Sequence, residues 1–117
     1  MISIPAHVRV FLAPGSTDMR KAINTLSILV EGSLRLDPFS GHLFVFCNHR
    51  RTILKILYWD RNGFCLWQKR LEKHQFNWPQ NRDEVMEIGG RELSFILEGL
   101  DISAIHPHGS LKYSTLI

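Results

Sequence analysis

The chain has 117 residues, 44% of them hydrophobic and 10% aromatic, and it carries a formal net charge of +3 at a pI of about 9.1. That size predicts one domain whose core buries roughly two-thirds of the unfolded surface, and the composition excludes a disordered chain. No apolar run reaches the ~18 residues of a membrane span, and the first ten residues lack the layout of a signal peptide, so a cytoplasmic protein is expected.

The charge is unevenly placed. Residues 50–73 hold seven of the 14 Lys and Arg residues against only Asp60 and Glu72. The preceding 49 residues have four basic and three acidic side chains, and residues 74–117 have three basic and six acidic ones. A concentrated cationic stretch suits an anionic partner, with DNA the first candidate.

In chain order, residues 6–13 alternate, with Val8, Val10 and Leu12 on one face and His7, Arg9 and Phe11 on the other, as a half-buried strand does. Pro14-Gly15 breaks it. Ser16 or Thr17 can cap a helix with Asp18 in its first turn, and Met19, Ile23, Leu26 and Val30 carry helical spacing to about Leu34. A loop over 37–41 leads to an apolar strand at 43–48. His49-Arg50-Arg51 is a short polar connection to a strand at 53–60, Asn62-Gly63 signals a hairpin, and 64–72 returns. Phe76 to Pro79 is short and extended, and Pro79 to Glu84 is polar loop. Val85 to Ile88 reads as a brief strand or a helical lead-in. Leu93, Ile96, Leu97 and Leu100 mark a helix over 91–100, with Gly99 near its stop. The expected fold is α+β: a largely antiparallel meander sheet of four to five strands, an N-terminal helix packed on one face and a short C-terminal helix, in a single domain 1–117 whose tail frays from about residue 103.

Register sharpens the hairpin. A two-residue Asn62-Gly63 loop sets Lys55 opposite Arg70, and a three-residue Arg61-Asn62-Gly63 loop sets it opposite Lys69. Like charges facing across a ladder destabilise it, so Lys55 is expected to need an acid from elsewhere or an anion to grip. The interleaved Tyr58, Trp59, Phe64 and Trp67 suit nucleic-acid bases or, equally, an ordinary core. Arg20 and Lys21, with Gly15 and a helix N-terminus, could hold a phosphate or simply be solvated.

Other chemistry is sparse. Cys47 and Cys65, on predicted adjacent strands, read as small buried hydrophobes rather than a disulfide. No CxxC, HExxH, G-x-S-x-G or P-loop pattern is present, and His106-Pro-His108 is a weak metal pattern. Asp18, Asp37 and Asp60 are not brought together by anything local, so no catalytic residue, metal or cofactor is expected.

Asp18-Met19-Arg20-Lys21, Leu43-Phe44-Val45-Phe46, Arg50-Arg51, Lys55, Trp59-Asp60, Gly63-Phe64, Lys69-Arg70-Leu71-Glu72 and Phe76-x-Trp78-Pro79, in this order, resemble the small accessory protein of bacterial insertion sequences of group sixty-six. That protein is the product of the element's second reading frame, often called TnpB-type, and is unrelated to the RNA-guided nuclease sharing the label. The resemblance spans about residues 8–100. The sequence departs from it at His74-Gln75, where Gly and a basic residue are common, and at Asn24-Thr25, where Asp-Gly is common. It implies a part in DNA transposition and recombination beside a separate transposase that performs the strand chemistry, and it supplies no catalytic residues.

The leading expectation is a non-enzymatic accessory factor that binds DNA, at the element's ends or nonspecifically, through the 50–73 stretch. Arg50, Arg51, Lys55, Lys69 and Arg70 would contact phosphates, with Lys73 extending the track, Arg20 and Lys21 as a further phosphate site, and Trp59 or Trp67 stacking on bases. The alternative is a protein-interaction adaptor that docks on the transposase without touching DNA. A cryptic nuclease is a third reading, and it lacks an acid cluster.

Overall fold

The computed structural model describes residues 4–79 and 83–99. Leu100, the tail from Ser103 and the His106–His108 pair lie outside them. Strands β1 (Val10–Leu12), β2 (Leu43–Cys47), β3 (Ile53–Asp60), β4 (Gly63–Arg70) and β5 (Met86–Ile88) form one sheet in the order β4-β3-β2-β1-β5. Helix α1 (Ile23–Gly32) joins β1 to β2, and α2 (Gly90–Leu97) follows β5. The sheet is mixed. β1 runs parallel to β2, while the β2–β3, β3–β4 and β1–β5 pairs are antiparallel. The local signals for β2, β3 and β4 are apolar runs separated by turns. The parallel β1–β2 pairing joins segments some thirty residues apart in sequence, a contact that no local signal encodes.

Side chains alternate across the sheet, so it has two apolar faces. One carries Val10, Leu12, Leu43, Val45, Cys47, Leu54 and Ile56, clustered with Leu93, Ile96 and Leu97 of α2 and with Phe76 and Trp78. The other carries Phe11, Phe44, Phe46 and Leu57, clustered with Leu26 and Val30 of α1. Each fully buried aliphatic side chain contributes about 1.5–3 kcal/mol relative to exposure. The cover on both faces explains why β1, expected to be half-buried, has all three residues buried.

Three local expectations are corrected. In the hairpin, Asp60 faces Gly63, so the loop is Arg61-Asn62, and Arg61 takes the positive φ of 53°. The register therefore sets Lys55 opposite Gln68, Leu54 opposite Lys69 and Ile53 opposite Arg70, and no cation faces another. Helix α1 begins at Ile23 rather than near Asp18, and its N-cap Ala22 has no side-chain cap bond. The reason is tertiary: the Thr17 N–H donates to the Cys47 carbonyl, and the Met19 and Lys21 carbonyls are taken by the Lys55 ammonium, which ties 17–21 to the sheet as a turn. Cys47 and Cys65 lie on β2 and β4, with β3 between them, and both are free thiols.

Two devices close the second helix and the β2–β3 turn. The Glu92 carboxylate reaches back to accept from the Gly89 N–H at 2.9 Å, and Gly99 follows α2 at φ 76°. Asn48 Oδ1 accepts from the N–H groups of Thr52 and Ile53 at 2.8 and 2.9 Å. Among the described residues, no helix is long and apolar enough to cross a membrane.

Candidate nucleic-acid interface

Three segments meet at the end of the sheet where β2 passes into β3. The turn over 48–52 is its centre. The 71–79 segment returns beside it: the Leu71 N–H donates to the Thr52 carbonyl, the Phe76 N–H to the Arg51 carbonyl at 2.7 Å, and Gln75 Nε2 to the Arg50 carbonyl at 2.8 Å. The 14–21 segment closes the other side through the Thr17–Cys47 bond and through Trp78, whose Nε1–H donates to the Gly15 carbonyl at 3.1 Å. Phe76 and Trp78 are buried anchors, which is why an extended, proline-ended stretch holds its place.

This architecture gathers Arg20, Lys21, Arg50, Arg51, Arg70 and Lys73 at one end. Arg50, Lys73 and Arg70 are exposed, and the Arg20 side chain is 91% accessible. Each acid here already has a cation. Asp18 accepts from Arg20 through Nε at 3.0 Å and Nη2 at 2.6 Å, and it also accepts from the Arg20 backbone N–H. Those bonds hold the Asp18 carboxyl far below the usual carboxylate range. Glu72 pairs with Arg70 Nε at 3.0 Å, both side chains being mostly exposed. The local excess of positive charge survives both pairings.

Two expected phosphate contacts have other work. Lys55 is only 8% exposed, and its Nζ donates to the Met19 and Lys21 carbonyls at 2.8 and 3.0 Å. It anchors the turn carrying Arg20 and Lys21 instead of facing solvent. The sequence holds the signal for this: a lone lysine amid Ile53, Leu54, Ile56 and Leu57 must find buried acceptors. Lys69 Nζ donates to the Leu97 carbonyl at 2.6 Å, at the negative end of α2. Arg20 and Lys21 precede α1, which starts at Ile23, so they do not stand in its first turn as expected, and the Gly15 carbonyl accepts from Trp78.

Neither stacking candidate sits with the cations. Trp59 is at the opposite end of β3, about 20 Å away by strand rise, in an edge-to-face cluster with Phe39 and Phe64 at centroid distances of 5.1 and 5.0 Å. Trp67 pairs with Ile56 midway along the edge strand β4 and packs on the α2 face. Asp60 lies at that far end too, apart from Asp18. Among the described residues no group of three His, Cys, Asp or Glu side chains could hold a metal. Burial pushes the Cys47 thiol up to about 12, which leaves it no thiolate to offer.

Residues 8–107 match the family model described as IS66 Orf2 like protein. The chain belongs to that family. It is 38% identical over 101 residues to the uncharacterized protein y4hO of Sinorhizobium fredii, covering 86% of this chain and 88% of that one. It is 35% identical over 101 residues to y4jC of the same organism, covering 86% of each. No solved structure matches it. The family is one of insertion-sequence accessory proteins. The departure at His74 has a visible consequence: His74 adopts φ 69°, a left-handed conformation that glycine takes without strain.

Proposed function

We propose that this protein is a non-enzymatic DNA-binding accessory factor in transposition, and that it grips the phosphate backbone with the end of its sheet. The observation that carries the reading is the convergence of Arg20, Lys21, Arg50, Arg51, Arg70 and Lys73 around one turn, where the acids Asp18 and Glu72 are each engaged by an arginine. Backbone neutralisation by such a surface supplies affinity without sequence readout. Lys55 and Lys69 serve indirectly, Lys55 by fixing the turn that presents Arg20 and Lys21.

The test is fluorescence-anisotropy binding to a duplex bearing the element's terminal repeat and to a scrambled duplex, over a salt series. The expected result is binding whose log affinity falls by about 0.9 per phosphate neutralised for each decade of salt. Preference for the terminal duplex at physiological salt identifies end recognition. Equal, salt-sensitive binding identifies a nonspecific clamp. Binding to neither at low salt overturns the proposal.

A second reading, an adaptor for the transposase, draws on the opposite end of the sheet. Phe39 is 56% exposed there and covers Trp59 and Phe64. Partner binding that is insensitive to salt and lost in Phe39→Ser would favour it.

A further inference from the structure

Among the described residues, the outer edge of β4 is the long unpaired edge of this sheet. β5, at the other edge, has three residues, whereas β4 has eight. The Leu71 N–H donates to the Thr52 carbonyl, and the register continues as Ile53 opposite Arg70 and Leu54 opposite Lys69. Antiparallel pairs alternate between bonded and non-bonded, so odd-numbered β4 residues bond to β3. Phe64, Leu66, Gln68 and Arg70 therefore turn their N–H and C=O groups outward, and among the described residues no strand pairs with them. Natural sheets blunt such edges with proline, bulges, charge or a covering element. From Gly63 to Gln68 this strand has no proline, no charged side chain and an unbroken ladder.

We propose that β4 pairs antiparallel with β4 of a second copy of this chain, joining two sheets about a two-fold axis at Trp67. Parity demands that outward residues meet outward residues, which allows only registers in which facing numbers sum to an even value. Centred on Trp67, the pairing sets Leu66 across from Gln68, Phe64 across from Arg70 and Cys65 across from Lys69, while the two Trp67 indoles meet at the axis. Within β4 each cation, Lys69 and Arg70, then faces an uncharged residue, and the Arg70 guanidinium lies against an aromatic ring. The register shifted toward the hairpin tip sets Arg70 across from Asn62 in the turn and loses its contact with Phe64. The shift the other way shortens the overlap. A second copy is the occupant that this charge arrangement fits, and the inference stands independently of DNA binding.

The test is sedimentation velocity of the full chain together with oxidative cross-linking. A species of twice the 13.6 kDa chain mass is expected. Gln68→Pro removes one outward N–H and no bond to β3, so it should halve the mass while leaving the circular dichroism spectrum unchanged. Lys69→Cys fixes the register. Cys65 and the introduced cysteine would form a non-bonded pair with Cα atoms about 4.5 Å apart, within disulfide range. Mild oxidation should then give a covalent dimer whose peptide map joins position 65 to position 69. If Gln68→Pro does not fold, that cross-link decides. A monomer at every concentration tested overturns the proposal, as does a dimer that lacks the cross-link. A monomer whose Phe64, Leu66 and Gln68 amides resist exchange does so too, because its own chain then covers the edge.

Discussion

The two ends of the sheet are built by the same two strands and stabilised in opposite ways. At the hairpin tip, Trp59 packs edge-on against Phe39 and Phe64, which tilt against each other beside a two-residue loop, and the stabilisation is apolar contact. At the other end, three loop segments are tied by backbone and side-chain hydrogen bonds, and cations crowd the surface that results. Polar tethers fix loops in position without an apolar cap, so that end can expose charge and keep its shape. The contrast also separates residues of one type: Lys55 and Lys69 are tethers, whereas Lys73 and Arg50 face water.

The largest test of that separation is Lys55→Met. It leaves two carbonyls without their ammonium in a buried site, and a loss of about 2–4 kcal/mol in urea unfolding is expected. Lys69→Met removes one bond at a half-exposed helix end and should cost about 1 kcal/mol. Equal costs for the two would break the distinction between a buried anchor and a helix-end contact.

Next in size is the effect on DNA. Arg50→Ala combined with Lys73→Ala should lower the salt slope of binding by about 1.8, two phosphates' worth, with the unfolding midpoint unmoved. Arg61→Ala, at the hairpin tip, should leave the slope as it is. If Arg61 mattered as much as Arg50 and Lys73, charge at large rather than one end of the sheet would be responsible.

The same contrast shows what the sequence made legible. Strands β2, β3 and β4 announced themselves because apolar runs and an Asn-Gly turn are local signals. The register did not, since Arg61 rather than Gly63 supplies the positive φ, and shifting the turn by one residue moved Lys55 from a cation to Gln68. The start of α1 is not legible locally, because hydrogen bonds to Cys47 and Lys55, both far off in sequence, override the capping pattern at Ser16–Asp18. The cation cluster was legible as composition. Which of its members face water depends on alternation along β3 and on where α2 ends.

A smaller effect is expected at His74. Its left-handed backbone strains a side chain that glycine would not carry, so His74→Gly should raise stability by up to about 1 kcal/mol despite the extra freedom of the unfolded chain. A loss would mean that the imidazole contributes more than its backbone strain costs.

The smallest effect comes from Asp18 and its sign is definite. Its folded carboxyl lies below the unfolded value because Arg20 bonds and attracts the ionised form. Above the unfolded value, near pH 4, both states are ionised and the pairing contributes fully. As pH falls below that value the unfolded chain takes up the proton first, and the contribution drains away toward the folded value. The pair is exposed and therefore screened, so the slope will be shallow and salt-dependent. Asp18→Asn should flatten the acid limb of stability between about pH 4 and 2 and leave neutral pH nearly unchanged. It should also free the Arg20 guanidinium, so that DNA affinity at neutral pH rises rather than falls. A fall would mean that Arg20 reaches the phosphate only when Asp18 orients it, and that the ion pair is part of the grip.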